Sequence, residues 1–447
     1  MTKTSLVLFT RDLRLADNLT LAAVKYAIIP AFIIDETLLG SHHNLFAQRF
    51  MLESLLGLDD ELAPYNSALD LRQGKFTQEF TALLDEHSPA EVLISNDHTP
   101  YAKKRAALIA KLCVDRKIPL HCVDNHWLLP FDHSLKADKT PYTVFTPFYK
   151  HGNGLEIPPA NATQLAFITR EQEHSRLTKI TEATKMMQTL KGGRAEALSI
   201  LYTMTDYTDY LKKRDFPAQT KGTTSLSAHL HWGTIGPREL YWAIADVFDI
   251  YHPLIRQLWW REFYSAIAYH FPHVWRQNYQ TKYDQLEWSD DTLHWQAWLD
   301  GQTGFPLVDA GMRQLKQTGQ MHNRVRMVVG SFLTKDLHID WRWGEKYFAE
   351  RLVDYDKAVN NGNWQWVAST GTDAQPYFRI FNPWLQQAKF DSEASYIKEW
   401  VPELVELSSK EIHDPLGVRP NYPEPIIDHR TESRLTLEYY THIAKNS

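Results

Sequence analysis

The sequence predicts a two-domain protein, with an α/β domain containing a doubly wound parallel sheet followed by an all-helical domain. Short apolar runs alternate with helical patterns through the first 130 residues, which is typical of parallel strands joined by right-handed crossovers. The pattern loosens between residues 131 and 195 and then becomes helical almost to the last residue. A length of 447 residues is also more than one hydrophobic core usually serves.

Five apolar runs have the composition of strands buried on both faces, and helical patterns separate them. The runs lie at 6–9, 28–34, 69–71, 92–95 and 120–123, and the helical patterns at 19–26, 46–62, 76–85 and 101–117. The turn from Thr10 to Asn18 has no glycine-rich loop, which disfavours an ordinary dinucleotide or P-loop site. We predict an α/β domain at 1–130, a linker at 131–195 and a helical domain at 196–447.

Composition favours a cytoplasmic protein without a membrane anchor. No run approaches the roughly 20 apolar residues of a membrane helix, and the first ten residues lack the pattern of a signal peptide. Only Cys113 and Cys122 occur, without metal-ligand spacing, so we expect neither a disulfide nor a metal or iron–sulfur site.

Charge and aromatic residues are unevenly distributed. The net charge is −6, yet residues 313–351 contain eight basic and four acidic side chains. This stretch is either a nucleic-acid surface or a solvated helical face. Of 15 tryptophans, all but Trp127 follow residue 230, which favours stacking on a cofactor or on bases, or electron transfer, although buried tryptophans are usually core residues.

Two later segments have helical periodicity. Gln257, Trp260, Arg261 and Tyr264 are spaced so that they share one helical face. After His322, an apolar stripe of Val325, Val328, Val329, Phe332 and Leu333 predicts a helix with Arg324, Ser331 and Lys335 on its polar side.

Ordered motifs run from residue 301 to residue 391. They are Gly304-Phe-Pro-Leu-Val-Asp-Ala310, Met321-His-Asn-Arg-Val-Arg-Met327, Asp340-Trp-Arg342, Asn360-Asn-Gly-Asn-Trp-Gln-Trp366, Ala368-Ser-Thr-Gly-Thr-Asp373 and Tyr377-Phe-Arg-Ile-Phe-Asn-Pro383. Earlier motifs are Trp260-Arg-Glu-Phe263, Gly222-Thr-Thr-Ser-Leu-Ser227 and Arg11-Asp-Leu-Arg14. Together they closely resemble the class I cyclobutane pyrimidine dimer photolyases of the photolyase/cryptochrome family, over essentially the whole chain. The resemblance implies an α/β antenna domain, a helical FAD-binding domain and light-driven repair of pyrimidine dimers in DNA.

The resemblance also assigns the FAD contacts. They are Tyr210, Thr223, Thr224, Ser225, Leu226, Ser227, Arg261, Arg326, Asp354, Asp356 and Asn360. Successive hydroxyls and N–H groups in the segment 223–227 suit a pyrophosphate, although the segment taken alone is more typical of a helix cap. Arg326 should pair with Asp354, because buried opposite charges are tolerated only when paired. Asn360 should lie near the reactive ring nitrogen.

Electron transfer, catalysis and DNA binding are assigned in the same way. Trp364, Trp341 and Trp288 match a tryptophan chain that passes electrons to the flavin, with three core tryptophans as the alternative. The lesion and catalytic residues are Gln257, Trp260, Asn323, Met327 and Asn360. The DNA-binding residues are Arg214, Gln257, Trp260, Arg261, Asn323, Arg324 and Gln386. Solvated surface arginines are the alternative for Arg214 and Arg324.

The sequence departs from the family at three positions. Gln257 replaces a glutamate, Gln320 a tryptophan and Ser225 an arginine. A blue-light photoreceptor (cryptochrome) with weak or no repair, or an enzyme for a different pyrimidine photoproduct, therefore stays open. A (6-4) photolyase is disfavoured, because His322-Asn323-Arg324 lacks that branch's paired histidines.

The antenna chromophore and the partners complete the expectations. Asn96-Asp97-His98 and Trp275-Arg276 match folate-binding positions poorly, so a second chromophore, of folate or deazaflavin type, stays undetermined. We expect UV-damaged DNA as the partner, no obligatory protein partner and a monomer.

Overall fold

The computed structural model of the protein describes residues 3–36, 44–161, 164–171 and 190–446. The chain forms two compact units. The first comprises Met1–Tyr142, Thr146–Thr205 and Ser225–Ala266, and the second comprises Thr143–Phe145, Asp206–Thr224 and Ile267–Ser447. The predicted domain boundaries at residues 130 and 195 stay a prediction, because a compact unit can draw on segments of more than one sequence domain.

A five-stranded parallel sheet lies in the first unit. Its strands are β1 (Thr4–Leu8), β2 (Ala27–Asp35), β3 (Asp70–Gly74), β4 (Glu91–Ser95) and β5 (Leu120–Val123), in the order β3-β2-β1-β4-β5. Because side chains alternate along a strand, Leu6 and Leu8 join one buried cluster while Val7 and Phe9 join another. The doubly wound α/β fold predicted for this part of the chain is confirmed.

Helices alternate with the strands along the chain and follow them as far as residue 270. They are α1 (Leu19–Ala22), α2 (Leu45–Leu62), α3 (Phe76–His87), α4 (Pro100–Asp115), α5 (Phe145–Gly152), α6 (Arg194–Tyr202), α7 (Tyr210–Lys213), α8 (Ser227–Trp232), α9 (Pro237–Val247) and α10 (Pro253–His270). Side-chain caps set several starts: Asn18 accepts from the backbone N–H groups of residues 20 and 21, and Thr99 from that of residue 102. The first helix ends at Ala22, four residues before its predicted end.

The rest of the second unit is helical, as predicted. Its helices are α11 (Thr292–Asp300), α12 (Pro306–Thr318), α13 (Asn323–Ser331), α14 (Trp341–Arg351), α15 (Lys357–Val367), α16 (Pro383–Phe390), α17 (Ser395–Trp400), α18 (Ser409–His413) and α19 (His429–Asn446). Short 3₁₀ turns occur at Ala63–Tyr65, Phe131–Ser134, Met204–Tyr207, Pro272–Trp275, Thr281–Gln285 and Pro402–Leu404. No helix within the described ranges is long and apolar enough to cross a membrane.

A π-helical turn, Phe332–Asp336, follows α13 directly. It corrects the predicted polar side of this helix, since Ser331 and Lys335 are buried. A π turn has more residues than an α turn, so it rotates the following side chains away from the α-helical pattern. The Lys335 ammonium donates to the carbonyl of Ala368 at 3.2 Å and lies 3.5 Å from the ring centroid of Tyr440.

Asp17 joins two buried arginines in the first unit. One carboxylate oxygen accepts from the Arg238 guanidinium at 3.0 and 3.1 Å, and the backbone carbonyl of Asp17 accepts from Arg14 at 2.7 Å. Burial lowers the pKa of Arg14, and the charge of Asp17 opposes that shift. A Cβ at Gly236 would lie 2.2 Å from the Asp17 carboxylate, so a larger residue there would have to displace that carboxylate. The Arg11-Asp-Leu-Arg14 motif therefore contributes to packing within this unit.

A tryptophan-rich core fills the second unit. Trp341 and Trp364 belong to its buried cluster, and Trp288 packs against that cluster. The Trp364 ring lies against Gly344, where a Cβ would be 2.2 Å from a ring carbon. Trp341 stands one helical turn before Gly344 on the same face of α14, so the helix that receives the Trp364 ring also carries Trp341.

We expect Gly344→Ala to lower the free energy of unfolding by about 1–3 kcal/mol, because the added methyl group must displace Trp364 in a filled core. Urea unfolding monitored by tryptophan fluorescence measures the change. Gly362→Ala is the matched control, since Gly362 lies partly exposed inside α15. It should raise stability by up to about 1 kcal/mol through helix propensity. Equal effects at the two positions would show that Trp364 tolerates the methyl group.

Candidate functional site

The predicted site residues of the second unit lie mainly on α13 to α15. His322 caps α13, with its Nδ1 accepting the backbone N–H of Arg324 at 3.1 Å. Burial lowers the pKa of His322 to about 4, so the ring is neutral and can accept at physiological pH. Asn323 and Met327 lie one turn apart on the more exposed side of α13, with the Asn323 amide 3.6 Å from the Met327 sulfur.

Arg326 and Asp354 form the predicted ion pair. One guanidinium nitrogen donates to both Asp354 oxygens, at 3.0 and 3.1 Å, and Nε donates to the Met321 carbonyl at 2.8 Å. The Asp354 side chain is 9% exposed, so removing the paired guanidinium would leave a nearly buried charge without a partner. The pairing prediction is confirmed.

Asn360 is oriented by a residue that the sequence reasoning missed. Its amide nitrogen donates to both the backbone and the side-chain oxygen of Glu345, at 3.1 Å each, and the Tyr355 hydroxyl donates to the same carboxylate at 3.2 Å. Both partners of the nitrogen are acceptors, so the amide cannot be flipped. The amide oxygen of Asn360 is therefore the atom that points away from Glu345. Fifteen residues separate the pair, and no periodicity links them.

Asp356 is the N-cap of α15. Its carboxylate accepts the backbone N–H groups of Ala358 and Val359 at 3.1 and 3.2 Å. This is the ordinary structural role of an aspartate at a helix start. The flavin contact assigned to Asp356 stays a prediction.

Arg324 is less accessible than its predicted DNA contact suggests. It pairs with Asp215 at 3.0 Å and stacks over the Phe390 ring at 4.2 Å, with 15% of the side chain exposed. Arg214 lies 3.8 Å from the same Asp215 carboxylate and 5.7 Å from the ring centroid of Tyr210. The two arginines therefore share one carboxylate, and Asp215 is a second residue that the sequence reasoning missed.

The local excess of basic residues at 313–351 is largely neutralised in the fold. Ion pairs hold Arg313, Lys316, Arg324, Arg326, Arg342 and Lys346, mostly with acidic residues outside the stretch. The sum of charges along the sequence therefore overstates the positive field of this region. Gln386, on α16, has its side-chain oxygen buried without a hydrogen-bond partner among the described residues.

The hydroxyl-rich segment divides between the units, with Thr223 and Thr224 in the second and Ser225, Leu226 and Ser227 in the first. Leu226 is the N-cap of α8 and makes no side-chain cap hydrogen bond. The phosphate contact and the helix cap both stay predictions for this segment. Thr223 and Thr224 are partly exposed, and Ser225 and Ser227 are exposed. Ser225 has a left-handed φ of 55°, a strained conformation for a serine.

In the first unit, helix α10 carries Gln257, Trp260 and Arg261. The Gln257 amide donates to the carbonyl of Pro253 at 3.3 Å, and Trp260 stacks on Tyr264 with ring centroids 5.6 Å apart. All three predicted residues are partly exposed. The neighbouring Trp259 is instead a core residue, fully buried against Gly152.

Arg261 is anchored within the first unit. It donates to the His126 carbonyl at 2.8 Å and pairs with Glu262 at 3.1 Å, while Glu262 accepts the backbone N–H of Leu128. Burial raises the pKa of Glu262 to about 7, although Arg261 opposes the shift. The cofactor and DNA contacts assigned to Arg261 stay predictions.

Comparison with known proteins identifies the family. The model described as DNA photolyase matches residues 5–163, and that described as the FAD binding domain of DNA photolyase matches residues 254–442. The deoxyribodipyrimidine photo-lyase of Halobacterium salinarum is 36% identical over 459 residues, 94% of this chain and 95% of that protein. The chain belongs to the DNA photolyase family.

Two solved photolyases resemble the chain along its whole length. An archaeal photolyase from Sulfolobus tokodaii, solved with two FAD molecules, has a TM-score of 0.88 and 36% identity and covers 98% of this chain and 100% of its own. A bacterial class III photolyase from Agrobacterium tumefaciens has a TM-score of 0.88 and 33% identity. It covers 100% of this chain and 98% of its own. This photolyase therefore has the predicted α/β and helical architecture and an FAD-binding domain. Its assignment to class I stays a prediction.

A small cavity lies at the switch point of the parallel sheet. The carboxyl ends of β1 and β4, where the strand order reverses and ligands commonly bind, enclose a cavity of about 20 Å³. That volume suits a single water. Arg11 pairs with Asp97 at 2.9 Å, and Tyr101 donates to Asp35 at 2.5 Å. A folate- or deazaflavin-type antenna at this place would require side chains to move.

Proposed function

We propose that this chain splits cyclobutane pyrimidine dimers in DNA, using FAD and blue light, as the name of its relatives indicates. The observation that carries the proposal is the amide oxygen of Asn360, which Glu345 holds in one orientation. A neutral acceptor suits a ring nitrogen that carries a hydrogen, without placing a net charge beside a cofactor whose charge changes during reaction.

The other polar residues fit a bound flavin. Arg326 and Asp354 present a compensated pair, which costs less beside a buried ring than either charge alone. The hydroxyls of Thr223, Thr224, Ser225 and Ser227 are the proposed donors to the phosphates, since a hydroxyl group can donate to a phosphate oxygen. When bound, the reduced flavin supplies one electron after it absorbs light.

The lesion is the proposed partner of Trp260, Gln257, Asn323 and Met327. A dimerised base pair is poorly stacked, so extruding it costs less than extruding a normal pair. Trp260, held by its stacking on Tyr264, offers an aromatic surface for the extruded bases. Gln257 keeps a second amide N–H beyond the one given to Pro253, and that donor can stabilise negative charge on a pyrimidine carbonyl.

DNA is held through Arg214, Arg324 and Gln386 in this proposal. Asp215 already compensates both arginines, so phosphates would have to compete with a carboxylate for them. We propose that the protein works in the cytoplasm as a monomer without an obligatory protein partner.

The test is repair of thymine dimers in an oligonucleotide by the reduced, FAD-loaded protein. We expect repair under blue light and none in darkness, with a lower yield per absorbed photon for Gln257→Ala. Gln257→Glu should match or exceed the native yield at low pH only, since a carboxyl group donates a hydrogen bond only when protonated. Gln296→Ala is the control, because Gln296 bonds Asp300 in an exposed position.

A different outcome would favour the photoreceptor alternative. Protein that holds FAD and changes colour under light, yet repairs no dimer at any pH, does not act as a repair enzyme. Repair that is equal in Gln257→Ala and the native protein would remove Gln257 from the reaction while leaving the enzyme assignment intact.

A further inference from the structure

Asp215, in the second unit, lies between two arginines that the proposed function assigns to DNA. Its carboxylate is 3.0 Å from a guanidinium nitrogen of Arg324 and 3.8 Å from one of Arg214. Two cations therefore share one anion, and the three side chains together carry a single net positive charge. The side chains of Asp215 and Arg214 are 32% and 33% exposed, so a phosphate group can approach them from solvent.

The aromatic ring of Phe390 positions both partners of the closer ion pair. Arg324 stacks over this ring with its guanidinium carbon 4.2 Å from the centroid. Phe216, the residue after Asp215, contacts the same ring edge-on, with ring centroids 6.0 Å apart. The carboxylate and the guanidinium are therefore held by a common neighbour, which reduces the side-chain entropy that is lost when they pair.

The ion pair leaves part of the Arg324 guanidinium unused. The group has five N–H donors, and its closest approach to Asp215 is through Nη2. Its Nε atom is buried without a hydrogen-bond partner in the part of the chain that the structure describes. A phosphodiester carries one negative charge, as a carboxylate does, and its oxygens accept hydrogen bonds from an arginine in the same way. A phosphate can therefore take the place of the Asp215 carboxylate with no change in the charge of the group.

We propose that Asp215 competes with DNA phosphates: it occupies Arg214 and Arg324 in the free protein and is displaced when DNA binds. The inference rests on the proposed contacts of these two arginines with DNA. Displacing the carboxylate costs the free energy of its ion pairs, so Asp215 lowers the affinity for damaged, repaired and undamaged DNA alike. The repaired product is an ordinary duplex, and it leaves sooner because the carboxylate takes the arginines back.

The salt dependence of DNA binding distinguishes this role from a purely structural one. Each phosphate that a protein neutralises releases about 0.9 cation, so affinity falls more steeply with salt when more phosphates are neutralised. Beside Asp215 the two arginines contribute one net positive charge, and beside an asparagine they contribute two. We therefore expect Asp215→Asn to steepen the slope of log affinity against log salt concentration by up to about 0.9.

The first test measures DNA binding by the FAD-loaded protein in darkness at several salt concentrations. The ligands are a duplex with one thymine dimer and the same duplex without it. We expect Asp215→Asn to bind both duplexes about fivefold more tightly, the upper range for an ion pair at a protein surface. Asp300→Asn is the matched control, because it removes the same charge from an exposed pair with Lys316. It should leave the affinities and the slope unchanged.

The second test measures how fast the dimer-free duplex dissociates. Changes in affinity at one interface usually arise in the dissociation rate, so dissociation from Asp215→Asn should be about fivefold slower than from the native protein and from Asp300→Asn. An unchanged dissociation rate would overturn the role in product release.

Arg324→Ala separates failure of this inference from failure of the proposed function. If Arg324→Ala weakens binding while Asp215→Asn does not strengthen it, Arg324 contacts DNA and the competition is absent. If neither variant changes affinity, the DNA contact assigned to Arg324 is wrong, and the inference fails with it. Weaker binding in Asp215→Asn would show that Asp215 supports DNA binding, and equal gains in Asp215→Asn and Asp300→Asn would reduce the effect to net charge. Either result would overturn the proposal.

Discussion

Replacing Asp17 with alanine should lower the free energy of unfolding by about 3–5 kcal/mol, the cost of leaving a buried charge without its partner. The substitution removes the carboxylate that holds Arg238, whose side chain is 4% exposed, and it does so beside the fully buried Arg14. Urea unfolding measures this loss of stability as a lower midpoint, provided that the dependence of the unfolding free energy on urea concentration is unchanged.

Two controls separate charge burial from a general effect of substitution. Asp17→Asn keeps an oxygen acceptor for Arg238 and removes the charge, so its cost should fall between those of the alanine variant and the native protein. Lys221→Ala breaks an exposed pair with Asp206 and should cost little, because solvent screens such pairs. If Asp17→Ala lowers the free energy of unfolding as little as Lys221→Ala does, groups other than Asp17 stabilise the charges of Arg14 and Arg238.

Trp364→Phe should abolish light-driven reduction of bound FAD and leave repair by chemically reduced protein nearly unchanged. A phenyl ring is much harder to oxidise than an indole, and the proposed route through Trp288 and Trp341 ends at Trp364. The measurement is the bleaching of oxidised flavin under blue light with a thiol, followed by a repair assay on protein reduced with dithionite.

Trp366→Phe is the matched control for this experiment. Trp366 lies two residues along the same helix and packs partly buried against the same cluster. It should keep nearly native photoreduction. Rapid photoreduction in Trp364→Phe would mean that electrons enter through other residues, and a parallel loss in both variants would indicate damage to α15 rather than to a route.

The sheet and most helices could be predicted because their signals are local. Apolar runs such as 28–34 have no polar position to expose, and the structure buries Ile28 to Ile34 on both faces of the sheet. The π turn could not be predicted, since the pattern after His322 continues with α-helical spacing. One additional residue in the turn buries Lys335. Its amine then contacts the carbonyl of Ala368 and the ring of Tyr440, which lie far along the chain.

The candidate site was predictable only as far as motifs extend. The pairing of Arg326 with Asp354 followed from charge and motif together. The hydrogen bond from Asn360 to Glu345 and the ion pair of Arg324 with Asp215 could not be predicted. These contacts join residues that share neither a motif nor a helical spacing. Motifs indicate which residues contact a ligand, whereas the fold determines which of their atoms already bond to other protein groups.

The first unit is built from three separate stretches of the chain, which affects its folding during synthesis. Asp17 and its partner Arg238 are 221 residues apart, so at about 5–20 residues per second a ribosome separates them by roughly 10–40 s. In the later part of that interval, after Val123 has been added, the strands are complete, but the buried carboxylate has no guanidinium from Arg238. A fragment that stops at residue 142 would carry the same defect permanently. We therefore expect the isolated sheet region to need chaperones or to aggregate, and attempts to express it alone should fail unless residues 225–266 are supplied in trans.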